Sequence, residues 1–239
     1  SSSSAASDVY KRQIIYTLQP KFIQHTAVER SKKMSLSAYS AMVGWSLILS
    51  GIVFIISFVF LALMFSTRRS PWGQLNDISY VIALILIIPF LLRLLDEMNS
   101  VNPIAVMIAA ALGILGILII TVTQIRLVLK NIEFEKNLRQ GAFGSGLLGV
   151  GFIIIHLIYL NAALNPAGLV WLGLISGGLM SMGIPTGLFY GREELEMTTG
   201  KLDWKKANKL AIAAVISTFL GQIGLIAWVF WMGNMIISI

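Results

Sequence analysis

The chain contains no cysteine, and only 12% of its 239 residues are charged. The first absence excludes disulfides, thiolate catalysis and cysteine-ligated zinc or iron–sulfur sites. The second excludes an ordinary soluble domain, in which about a quarter of the residues carry charge. Histidine is scarce as well: His25 and His156 are the only two, too few for a histidine-based metal cluster. No P-loop, HExxH or GxSxG sequence is present. The apolar runs hold no lysine that could form a retinal Schiff base, and mid-span carboxylates of the kind proton-coupled carriers use are missing too. The expectation is a protein without enzymatic activity, cofactor or metal.

What the sequence does have is apolar surface. Hydrophobic residues make up 56% of it and the mean hydropathy is +0.82. A helix needs about 20 apolar residues to cross roughly 30 Å of hydrocarbon. Six segments meet that test: 43–65, 78–95, 104–125, 143–163, 167–190 and 210–236. They lack the alternating polar and apolar faces of a membrane barrel, so the expected fold is all-α, a bundle of six transmembrane helices in one domain over 34–239. Asn102-Pro103 and Asn165-Pro166 each place a capping side chain before a proline, a pattern that opens helices; Asp77 and Asp203 are further candidate caps.

Basic residues are confined to the connections. The first connection holds Arg68 and Arg69, the third holds Arg126, Lys130, Lys136 and Arg139, and the fifth holds Arg192, Lys201, Lys205, Lys206 and Lys209. That is two, four and five, eleven in all, against Arg93 alone in the other two connections. The positive-inside bias makes the odd-numbered connections cytoplasmic and puts both termini outside, in a multi-pass protein of the cell membrane. The net charge of +7 is thus a loop property. It points to the bilayer and its anionic headgroups as partners, not to nucleic acid. Trp45, Trp171, Trp228 and Trp231 fall near the outer span ends, where an aromatic belt is expected. Residues 125–140 read as a continuation of the third helix, with Glu135 and Arg139 four apart.

The amino terminus fits this scheme poorly, because residues 1–33 carry six basic residues on the side expected to be outside. The stretch SSSSAASDVYKRQ resembles a translated sequencing-adapter leader, in which case Met34 is the start. The alternative is a basic amphiphilic tail lying on the membrane.

Ala167 to Gly191 is span-length yet holds seven glycines and a proline. Gly173, Ser176, Gly177, Gly187 and Gly191 fall on one helical stripe, the arrangement that lets helix backbones approach in a membrane. This fifth span is expected to be the packing centre, with a kink where Pro185 removes a hydrogen bond.

The candidate polar pocket comes from depth. At about 1.5 Å per residue from the cytoplasmic ends, His156 lies about 20 Å in, Gln222 about 18 Å and Ser176 about 21 Å. With Tyr159 and Asn161 above them, these residues are expected to line one pocket among the fourth, fifth and sixth spans. Two functions follow. One is a small-solute or ion permease centred on His156, a titratable group at unusual depth. The other is a non-catalytic subunit or scaffold binding a membrane partner, or a second copy of itself, through the glycine stripe.

The segments WGQLNDI and GLVWLGLISGGLMSMGIPTGLFYG resemble small six-helix bacterial membrane proteins of unknown function. That resemblance implies a bacterial inner-membrane location and transfers no site residue.

Overall fold

A computed structural model describes residues 38–67, 70–98, 101–130, 132, 134–163, 165–189, 197–198, 201–202 and 209–238, the side chains of 70, 134, 135, 197, 198, 201, 202 and 211 apart. The chain divides into two units, Ser1–Met42 and Val43–Ile239. Of the first only residues 38–42 are described, and they are helical. The expected leader or tail, residues 1–33, lies outside the described residues, as do Asp203 and Gly191. The packing below is that of the second unit.

The fold is all-α. Its helices are α1 (Ala38–Thr67), α2 (Ser70–Ile85), α3 (Ile88–Glu97), α4 (Pro103–Val128), α5 (Phe134–Ala162), α6 (Ala167–Ser181), α7 (Gly183–Phe189) and α8 (Lys209–Ile237). A two-residue antiparallel ladder, Met197–Thr198 with Lys201–Leu202, is the remaining element among the described residues. The helices build six apolar segments of 23 to 30 residues, α2 with α3 forming the second and α6 with α7 the fifth.

Proline explains both composite spans. Pro89 lies in the first turn of α3, just after the break at Leu86 and Ile87. There its missing N–H costs no helical bond. In the fifth span the break falls at Met182, three residues before Pro185, in accord with the expected kink. Hydroxyls satisfy carbonyls around it: Ser181 donates to Gly178 O at 2.7 Å and Thr186 to Met182 O at 2.9 Å.

The caps divide. Asn102 is the N-cap of α4 and accepts from Ala105 N at 3.2 Å, as its sequence pattern implies. Asn165 caps nothing, because Pro166 occupies the cap position of α6 and the Asn165 side chain turns to the Tyr159 hydroxyl. Asp77 is no cap either, since α2 begins seven residues earlier and Asp77 accepts from Asn76 within the helix. Residues 125–140 are not one helix: α4 ends at Val128, Lys130 takes φ 57°, and Arg139 belongs to α5.

The packing centre is the fourth span, not the fifth. In α5, 61% of the apolar window is buried, against 28–39% in the other five spans. Its glycines serve two neighbours at once. Gly144 and Gly151 approach the backbone of α4 at Gly116 and Ala109, while Gly146 approaches α7 at Ile184 and Gly149 approaches α6 at Gly177. α6 packs in turn on α8, where Gly221 lies against Ser176 O and Gly224 against the Ser176 hydroxyl. Small residues on both sides of a contact let dispersion replace the hydrophobic drive that lipid does not provide. The described stripe residues thus pack within the chain. Gly173 and Gly177 meet α5 at His156 and Gly149, and Gly187 meets Phe143.

Candidate functional site

The polar residues singled out by depth are not brought to one place. His156 is buried, with Nδ1 donating to Phe152 O at 2.7 Å, since a carbonyl can only accept. Its ring lies among Phe152, Tyr159 and Trp228 at centroid distances of 5.2, 5.7 and 5.3 Å. Trp228 is fully enclosed, so it is a core residue and not part of an outer belt; Trp45, Trp171 and Trp231 are exposed as a belt requires. Ser176 is buried and bonds its own helix at Leu172 O, 2.7 Å. Asn161 is exposed.

Gln222 sits elsewhere. Its Nε2 donates to Ser145 Oγ at 3.3 Å, eleven residues below His156 on α5, an offset of about 16 Å along a helix. The depth match failed because α5 starts at Phe134, nine residues before the apolar run at Phe143. Those extra turns carry Lys136 and Arg139, so the count of apolar residues alone set the register too high.

Gln222 opens on a partly open cavity of about 230 Å³ lined by α1, α2, α4, α5 and α8. Its polar lining is Ser57, Asn76, Tyr80, Gln124, Asn137, Ser145, Thr218 and Gln222, and among the described residues no charged side chain contributes. The volume would hold about seven waters and is smaller than the roughly 300–1,000 Å³ of sites for drug-sized ligands. It lies toward the end of the bundle where α1 and α4 finish and α2, α5 and α8 begin. Asn76 is in the second turn of α2, Gln124 in the last turn of α4 and Asn137 in the first turn of α5.

The groups form two linked sets. Ser57 donates to the Asn76 side chain at 2.8 Å, and Tyr80, one turn on, turns its hydroxyl to Ser145 and Gln222. On the other wall Asn137 Nδ2 donates to Gln124 Oε1 at 3.4 Å. Asn137 Oδ1 is buried and has no hydrogen-bond partner among the described residues. An unpaired buried acceptor costs about 1–3 kcal/mol unless something donates to it. Asn137 lines the cavity, although this oxygen itself has almost no surface open to it.

Most of this lining was missed in the sequence, although a signal existed. Asn137, Gly141 and Ser145 recur every four residues on α5, Asn76 and Tyr80 are four apart on α2, and Val215, Thr218, Phe219 and Gln222 form one α8 face. The first two sets place polar groups on one helix face, and on α8 Thr218 and Gln222 share their face with Val215 and Phe219. The rule of attending to titratable groups at depth passed over them, because none is ionised.

Among the described residues no three histidine or carboxylate side chains gather to hold a metal ion. Six apolar spans make this a multi-pass integral membrane protein. No protein-family model, curated protein or solved structure matches the chain.

Proposed function

We propose that the protein is a permease for a small uncharged solute rich in hydrogen-bonding groups, with its binding site in the cavity between α1, α2, α4, α5 and α8. The observation that carries this reading is the lining: amides, hydroxyls and one phenol, with no charged side chain among the described residues. A charged solute would lose its hydration there with no counter-charge to replace it. A solute with donors and acceptors exchanges water for Asn137, Gln124, Gln222 and Tyr80 at little cost. The reading assigns no chemical step, so the protein is not an enzyme under it. With the basic connections cytoplasmic, the cavity belongs to the inner half of a bacterial inner membrane, open to the cytoplasmic side when loaded or emptied.

The test is flux into proteoliposomes over a panel of small polyols, amides and amino alcohols. Gln222→Leu and Asn137→Leu are expected to lower the rate at least tenfold with the fold intact by circular dichroism, while His156→Leu leaves it within a factor of two. Equal flux in empty vesicles and intact protein across the panel would sink the proposal.

A further inference from the structure

A second concavity lies on the outside of the bundle, between α4, α5 and α7. It has a volume of about 450 Å³ and is walled by Leu118, Ile119 and Val122 from α4, Phe143 from α5 and Leu188 from α7. Thr123 also lines it, but its hydroxyl is spent on Ile119 O and Ile120 O at 2.9 Å, so the wall there is effectively apolar. Polarity is confined to one end, at Gln140.

That end is basic. Arg139, next to Gln140, donates from Nη2 to the carbonyl of the groove residue Gly187 at 3.4 Å, and its Nε is buried without a hydrogen-bond partner among the described residues. Arg126 lies one turn beyond Val122 on the same face of α4 and is exposed. The segment from Arg126 to Arg139 holds four basic residues (126, 130, 136, 139) and two acidic ones (133, 135), a net charge of +2. An apolar groove that ends in two guanidinium groups is complementary to one kind of molecule in its surroundings. Basic pockets between spans are where anionic headgroups are held, and guanidinium binds phosphate through paired hydrogen bonds.

We propose that an anionic phospholipid occupies this groove, with an acyl chain along Leu118, Val122, Phe143 and Leu188 and its phosphate between Arg126 and Arg139. The site is separate from the solute cavity and does not rest on the permease reading. The occupant ties α7 to α4 across the break at Met182, the point at which the fifth span has lost helical continuity.

The experiment uses the purified full chain in detergent, with thermal unfolding read against added dioleoylphosphatidylglycerol, dioleoylphosphatidylcholine or sodium phosphate, and native mass spectrometry to count retained lipid. The phosphatidylglycerol is expected to raise the midpoint and stay bound in a 1:1 ratio, with phosphatidylcholine and phosphate giving neither effect. Arg126→Gln with Arg139→Gln is expected to weaken the lipid by about 10- to 30-fold, from about a three- to fivefold loss per basic residue. Val122→Trp, at an exposed position, fills the groove and is expected to abolish the retained lipid with both arginines present. Equal shifts by the two lipids, unchanged retention in the double or the Trp variant, or a shift by phosphate alone would each overturn the proposal.

Discussion

Gly173 on α6 packs on the ring edge of His156 on α5, so closely that a Cβ at position 173 would overlap Nε2, Cδ2 and Cε1. From the other side the ring is fixed by its bond to Phe152 O and by Trp228, which stands edge-on to it at an interplanar angle of 78°. With Nδ1 donating, Nε2 is a bare acceptor, and it is buried without a partner among the described residues. The imidazole is a wedge between two helices.

Gly173→Ala is therefore expected to destabilise the protein by about 1–3 kcal/mol, the range for overpacking a filled interior. His156→Ala in the same chain makes room for the added methyl. The double variant is expected to be more stable than the sum of the singles by about 0.5–3 kcal/mol. Denaturant unfolding in micelles measures all four corners of the cycle, and simple additivity would contradict the contact.

The bundle itself was legible because hydrocarbon imposes a length and bars charge, and both constraints act on composition. Even so, the apolar runs understated the helices: α5 continues two turns into residues that carry Lys136 and Arg139, and a hydropathy count stops where charge begins. The stop between α4 and α5 was invisible for a different reason. It depends on a lysine, Lys130, adopting a left-handed φ of 57°, a conformation that sequence reserves for glycine or asparagine. The register error that followed placed Gln222 beside His156 and hid the cavity. The described glycines of the fifth-span stripe, Gly173, Gly177 and Gly187, approach α5 closely. That partner is a helix with glycines on two faces, and only the three-dimensional arrangement shows that α5, not α6, stands between the others.

The glycines differ among themselves in a testable way. A Cβ at Gly149 would sit 2.6 Å from Gly177 O and 2.7 Å from Ser181 N, backbone atoms that cannot move aside. A Cβ at Gly178 would meet nothing within 4 Å. Gly149→Ala is expected to cost more than about 1 kcal/mol by forcing α5 and α6 apart. Gly178→Ala is expected to stabilise by about 0.5–1 kcal/mol, since alanine loses less conformational freedom in a helix. Melting temperatures that move the same way for both would refute this account of the α5–α6 contact.

The Asn102 cap offers a third measurement. Its side chain satisfies Ala105 N, one of the amides at the start of α4 that have no partner within the helix. Asn102→Ala is expected to lower stability by about 0.5–2 kcal/mol, and Asn102→Asp or Asn102→Ser to restore most of the loss. Amide exchange at the first turn of α4 would localise the effect; protection unchanged in the alanine variant would show that water caps the helix equally well.

α1 and α8 run antiparallel and separate along their length. At one end a Cβ on Gly44 would lie 2.9 Å from Gly233 O, and further along Gly51 is covered by the single ring of Phe230. Further still, two rings stand between the helices, Phe58 and Phe219, edge to face with centroids 5.2 Å apart. Both line the polar cavity, and Phe219 is 41% exposed, so this pair forms part of the cavity's outer wall. Such a contact is worth about 0.5–1.5 kcal/mol, so removing it raises the population of an opened crevice by about 2- to 10-fold. The chain has no cysteine, which allows a single reporter to be placed behind the wall at Thr218, itself buried. Phe58→Ala is expected to raise the rate at which N-ethylmaleimide labels Thr218→Cys by that same 2- to 10-fold factor. A reporter at Ser176→Cys, buried between α6 and α8 and outside the cavity lining, is expected to show no change. An unchanged rate at position 218 would mean that the rings do not gate the cavity, and an equal rise at both positions would mean general loosening of the bundle.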